Sequence, residues 1–207
     1  PTLIFGSNDL GLYFDISVHA GTLIAVVYYF RNEIFLMSKS LLVTNNFNED
    51  KNLAIQLIIA TIPIVIIGFI FRDLISQRIF SINDIAISNI IFASILLFAF
   101  LNNKGKKTLI NITILGACFI GLFQCFALIP GASRSGAAIT AGLLIGLSLK
   151  DASKFAFLLA IPTILGALTL LIFDLNNQSV SFELLNISIG FFTSMIFAFF
   201  TIKLFLK

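Results

Sequence analysis

The chain alternates long apolar runs with short polar ones. Apolar stretches near residues 12–30, 53–71, 84–101, 155–173 and 184–206 each approach the roughly 20 residues that cross hydrocarbon as an α-helix. Polar stretches at 31–52, 72–83, 102–108, 148–154 and 174–183 separate them and read as inter-helix loops. The pattern predicts an all-α, polytopic helical membrane protein forming a single transmembrane domain over residues 1–207. Only the span 109–147 breaks the regularity. Residues 109–129 are apolar enough to cross, but 133–147 is short and opens with Ser133, Arg134, Ser135 and Gly136 after a Pro130-Gly131 break. Such a break followed by a short helix predicts a re-entrant hairpin, tolerated at membrane depth only where protein or a wet cavity surrounds it.

Composition agrees with the pattern: 58% of the 207 residues are hydrophobic and 11% charged, against about 25% charged in soluble domains. The net charge of +3 does not point to nucleic acid, because the basic residues sit in short inter-helix loops rather than in one patch. If the hairpin enters and leaves on one side, ten of the thirteen basic residues share a face: Arg31, Lys39, Lys51, Lys104, Lys106, Lys107, Lys150, Lys154, Lys203 and Lys207. Arg72 and Arg78 lie on the other face, and Arg134 is in the hairpin itself. Lys and Arg accumulate in cytoplasmic loops, so the richer face is assigned to the cytoplasm and residues 130–136 point toward the outer face. Cys118 and Cys125 lie seven apart in an apolar run, without zinc or redox spacing, and read as small buried hydrophobes. Pro1-Thr2-Leu3-Ile4-Phe5 show neither a charged leader region nor a starting Met, so no signal peptide is visible and the true beginning is expected upstream of Pro1.

The chemistry concentrates at residues 130–136. An Arg within a membrane hairpin costs about 2.5–3.5 kcal/mol on insertion scales and is a functional candidate by default. Its guanidinium matches phosphate oxygens as a bidentate fork. The hydroxyls of Ser133 and Ser135 donate further hydrogen bonds or supply a nucleophile. Gly131 and Gly136 let the backbone come close to a ligand, with Ala132 between the break and the first Ser. A helix starting here also presents free N–H groups and the positive end of its dipole. Gly142-x-x-x-Gly146 downstream is a small-xxx-small packing pattern.

The run GLFQCFALIPGASRSG at 121–136 resembles the signature of the bacterial undecaprenyl-diphosphate phosphatase family, the enzymes associated with bacitracin resistance. FDISVHAGT at 14–22, Thr61-Ile62-Pro63 and FAFLLAIP at 155–162 extend the similarity over most of the chain. The resemblance implies hydrolysis of undecaprenyl diphosphate to the monophosphate, recycling the lipid carrier of cell-wall synthesis, in a multi-pass protein of the bacterial cytoplasmic (inner) membrane with its active site open to the outer face. It also implies two inverted repeats, each with a re-entrant hairpin. Carried over, Ser133 is the nucleophile or a phosphate ligand, Arg134 the phosphate clamp and Ser135 a supporting donor. The expected partners are a polyprenyl diphosphate lipid, the bilayer and a second copy of the chain in a homodimer.

Two departures stand out. The family pattern has Thr three residues after the second Ser, where this chain has Ala138. Thr140, two residues on, lies about 200° around the helix as the candidate substitute. The family also opens with a hairpin carrying paired acidic residues and a Ser-rich segment ending in His, which nothing before Phe14 matches, and its last helix is unmatched downstream. The resemblance therefore implies a longer chain at both ends. Diphosphate cleavage calls for charge neutralisation beyond one Arg, so a divalent cation, Mg²⁺ or Ca²⁺, is expected, with ligands unassigned. Asp9 and Asp15 are the acids nearest a site and also read as residues before a helix. His19, the one His of the chain, suits either a general acid or base or a hydrogen-bonded packing role. Gln124 suits orientation of the loop. The alternatives to hydrolysis are a transporter or flippase of a polyprenyl phosphate, since broken helices at mid-membrane also build transporter sites, and an inactive lipid-binding fragment.

Overall fold

The computed structural model describes residues 11–42, 48–72, 80–175 and 184–206. Asp9, Arg78, Glu183 and Lys207 lie outside them, as do parts of the expected polar loops. Eight α-helices are described: α1 (Gly11–Tyr29), α2 (Arg31–Leu42), α3 (Glu49–Ile70), α4 (Ile82–Asn102), α5 (Ile114–Gln124), α6 (Arg134–Leu144), α7 (Leu149–Leu175) and α8 (Leu184–Phe205). The protein is all-α, and four of these helices are long and apolar enough to cross a membrane.

Helix ends follow the local chemistry. Asn48 caps α3 by accepting the Lys51 N–H at 2.9 Å. Ser81 and Asp84 close a reciprocal capping box on α4, satisfying two otherwise orphaned donors. Two boundaries differ from the sequence reading. The polar stretch 31–52 contains α2, which is too polar for a membrane span. Residues 149–154, expected as loop, form the first turns of α7, because Ser148 accepts the Asp151 N–H at 3.1 Å and starts the helix early. Asp15 lies inside α1 rather than before it.

The described residues divide into two compact units. One holds the chain up to Arg31 and from Ala160 onward. In it α1 and α8 cross closely: a Cβ on Gly21 would collide with the Phe191 carbonyl and the Ser194 hydroxyl, and Tyr28 and Tyr29 pack on Phe199 at 6.0 and 5.9 Å. The other spans Asn32–Leu159 and carries the hairpin. There α5 packs on α3, so closely that a Cβ on Gly121 would meet Ala60 backbone, while α6 packs on α5 and α4. Half of the hydrophobic window of α7 is buried within the protein, and 6% of that of α4. The open sides of α4 carry Ile87, Ile90, Ile91, Leu97 and Phe98, which require lipid rather than water.

Candidate functional site

Between α4 and α7 the chain goes in and comes back. Residues 114–124 and 134–144 form two 11-residue helices, each about 16 Å long at 1.5 Å per residue, against about 30 Å of hydrocarbon. Neither can cross. Their outer ends are tied together: Lys107 N–H donates to the Gly146 carbonyl and Ser148 N–H to the Lys107 carbonyl, both at 3.0 Å, in a parallel bridge of Lys107 with Leu147. The chain thus leaves where it entered, as the re-entrant reading expects.

The foot of the hairpin is clamped by two carboxamides that the sequence reading did not single out. Gln56 of α3, 1% exposed, donates from Nε2 to the Ile112 carbonyl at 2.6 Å. Asn103, at the end of α4, donates from Nδ2 to the carbonyls of Leu143 and Leu147 at 2.9 and 2.8 Å. Each donates to carbonyls near a helix end, where the intrahelical ladder runs out. The signal that could have found Gln56 is a lone carboxamide inside an apolar run, since a buried amide demands partners. Gly146 completes the foot with φ of +94°. Leu147 N–H reaches the Gly142 carbonyl and Gly146 N–H the Leu143 carbonyl, a Schellman termination that needs a residue tolerant of positive φ. The expected small-xxx-small pair therefore splits. Gly142 serves packing, with a Cβ there falling 2.8 Å from that of Ala152, whereas Gly146 is a cap.

At the opposite end α5 tightens into a 3₁₀ turn, Cys125–Leu128, held against α4 by Phe126, whose ring lies 5.7 Å from Phe92 and 5.3 Å from Phe123. Cys118 and Cys125 are half-buried free thiols, less enclosed than expected. Pro130-Gly131 then turns the chain. Gly131 has φ of +96°, and a Cβ on it would collide with the Ile85 carbonyl and lie 3.1 Å from Ser88 Cβ. Its bareness seats the apex on α4 rather than serving a ligand directly. Ala132 N–H donates to the Ile129 carbonyl at 3.1 Å.

Ser133 is the N-cap of α6, its Oγ accepting the Gly136 N–H at 3.2 Å, with extended backbone as a cap requires. Gly136 keeps this contact open, since a Cβ there would approach Ser133 Cβ to 3.0 Å. Ser133 Oγ and Ser135 Oγ are 3.3 Å apart. Ser133 is exposed, and Arg134 and Ser135 are half-buried. The helix start thus presents two neighbouring hydroxyls, a guanidinium and a positive dipole end at one place. Ser88, against which Gly131 rests, also lines an open hollow of about 480 Å³ with Phe80, Asp84 and Ile87.

The other expected site residues are placed differently. Thr140 is 2% exposed and donates to the Gly136 carbonyl at 2.7 Å, so its hydroxyl is drawn into the helix backbone instead of the apex surface. Ala138 is likewise buried. Gln124, 1% exposed, ends α5 below the 3₁₀ turn. His19 is exposed on α1, in the unit that does not contain the hairpin, and its Nδ1 donates to the Asp15 carbonyl at 2.7 Å. It is hydrogen-bonded as expected but not enclosed. Among the described residues no three His, Cys, Asp or Glu side chains converge as a metal cage, so the described residues by themselves do not form a site for the expected divalent cation.

A family profile described as "Bacitracin resistance protein BacA" matches residues 2–207. The chain is 40% identical over 210 aligned residues to an undecaprenyl-diphosphatase from Alcanivorax borkumensis (strain ATCC 700651 / DSM 11573 / NCIMB 13689 / SK2), an alignment covering 100% of this chain and 79% of that protein.

Proposed function

The chain belongs to the bacitracin resistance protein BacA family, and from that premise and the hairpin apex we propose that it hydrolyses undecaprenyl diphosphate to undecaprenyl phosphate and inorganic phosphate. The observation that carries the proposal at residue level is the N-terminus of α6, where Ser133, Arg134 and Ser135 meet. In-line phosphoryl transfer asks chiefly for positioning and for stabilisation of charge on the equatorial oxygens. Arg134 supplies a fork for two of them, and Ser135 Oγ donates to the phosphate. The helix N–H groups face the same charge without reorganising. Ser133 Oγ already accepts the Gly136 N–H, which leaves its own O–H to donate either to phosphate or to Ser135 Oγ at 3.3 Å. This favours Ser133 as a phosphate ligand, with water as nucleophile, over Ser133 as the attacking group.

The hollow beside Ser88 offers room for the substrate next to the apex, and the aliphatic flank of α4 suits a prenyl chain. The ten basic residues that charge counting along the sequence assigns to the side where the hairpin enters and leaves support an apex open to the outer side of the cytoplasmic membrane. The pairing of Lys154 with Glu33 at 3.2 Å agrees with placing those two polar segments on one side. No step runs through a divalent cation, given the donor set described; chelator titration of phosphate release reads whether a cation carried by the diphosphate is required. The deciding experiment is phosphate release from undecaprenyl diphosphate by the purified chain and its Ser133→Ala and Arg134→Ala variants. Release that persists unchanged in Arg134→Ala removes the clamp, and lipid translocation without release turns the proposal into one of transport.

A further inference from the structure

The foot of the hairpin borders a second cavity, of about 280 Å³, at the end away from the apex. Its wall carries four carboxylates, Glu33, Glu49, Asp50 and Asp151, and one ammonium, Lys154. Lys154 is already engaged by Glu33 at 3.2 Å. Glu49 and Asp50 stand in the first turn of α3 and Asp151 in that of α7, and acids at helix starts are ordinary. By themselves they carry nothing.

Gln56 changes their meaning. It lines the same cavity, is 1% exposed, and commits its Nε2 to the Ile112 carbonyl. That bond fixes which end of the carboxamide is which, since a carbonyl can only accept. The remaining atom, Oε1, is a buried acceptor with no hydrogen-bond partner among the described residues, an uncommon and costly state for a native polar group. A negative wall and an unmet acceptor call for a cation that brings its own N–H donors. A bare divalent ion is a poorer match, because no three acidic or His side chains converge among the described residues.

We infer that this cavity binds a small organic cation bearing a primary ammonium. The carboxylates supply the charge complement and Gln56 Oε1 accepts one N–H. A primary ammonium reaches this face either as a free diamine in solution or as the headgroup of an aminophospholipid in the adjoining leaflet. The inference does not depend on the phosphatase activity.

The test is calorimetric titration of the full chain, held in nanodiscs of phosphatidylglycerol alone, with putrescine at constant ionic strength, empty nanodiscs being subtracted. Saturable binding is expected. Asp50→Asn weakens it about threefold, the scale of one unit charge a few ångströms away in a water-exposed wall, and Lys154→Gln tightens it by a similar factor because the resident cation no longer competes. A purely structural role would not move affinity in opposite directions. Methylammonium binds better than tetramethylammonium, which has no N–H, and Gln56→Met narrows that preference. In nanodiscs containing phosphatidylethanolamine, weakened putrescine binding assigns the site to the headgroup, and unchanged binding assigns it to the free amine. Absence of saturable putrescine binding in phosphatidylglycerol, or shifts of the same sign in Asp50→Asn and Lys154→Gln, overturns the inference.

Discussion

At the foot of the hairpin, carbonyls of Ile112, Leu143 and Leu147 meet the carboxamides of Gln56 and Asn103, and a bridge through Lys107 joins the two legs. At the apex, Ser133 stands exposed beside Ser135 and Arg134, and the contact with the rest of the protein is made by a glycine against α4. The two ends spend polar groups differently. The foot uses them as donors to backbone carbonyls near helix ends, while the apex gathers two neighbouring hydroxyls at a helix start. The foot is fixed by these clamps, and the apex is seated separately, by Gly131 and Phe126 against α4.

Variants can separate the two ends. The largest expected effect is Arg134→Ala, which lowers kcat for phosphate release by about 10²–10³-fold if the guanidinium acts as a preorganised donor, read per folded molecule. Gly131→Ala comes next: a side chain at positive φ, driven against the Ile85 carbonyl, costs roughly 1–3 kcal/mol in strain. It should lower both the midpoint and the release rate, since it unseats the apex itself. Asn103→Ala leaves the Leu143 and Leu147 carbonyls without that donor and destabilises by about 1–3 kcal/mol. Its signature is a lower midpoint with most of the release per folded molecule preserved, and loss of release at unchanged stability would erase the contrast between foot and apex. Ser133→Ala removes a helix cap worth about 1 kcal/mol. As a phosphate ligand it raises KM and lowers kcat together, whereas as the nucleophile it abolishes a phospho-enzyme detectable by intact mass.

Much of this was legible in the pattern of the chain. Five apolar runs marked five of the helices, and the Pro130-Gly131 break marked the hairpin, because length against bilayer thickness is a physical limit that needs no tertiary knowledge. Arg134 stood out for the same reason, being expensive where it sits. Contacts between segments were not legible. Gln56 and Asn103 act on carbonyls 56, 40 and 44 residues away, and nothing local announces such a partner. Gly131 and Gly136 read as bare backbone for a ligand and Gly142 and Gly146 as a packing pair, yet the four seat a turn, clear a cap, admit Ala152 and terminate a helix respectively. The burial of Thr140 was not legible either, because angle around a helix does not say which face is covered. The helix α2 was missed because a polar stretch between spans looks the same whether coiled or free.

The bridge between Lys107 and Leu147 has a consequence for parity. A segment that returns to its own starting point contributes an even number of boundary passages, so residues 108–146, which it encloses, leave the sidedness of everything downstream untouched. Reporter tags inserted at Gly105 and at Ser148 should read out on the same side of the membrane, and shortening the hairpin symmetrically would alter its reach without inverting any later helix. The hairpin proposed to carry the chemistry is topologically silent, free to vary in depth while the helices around it keep their orientation.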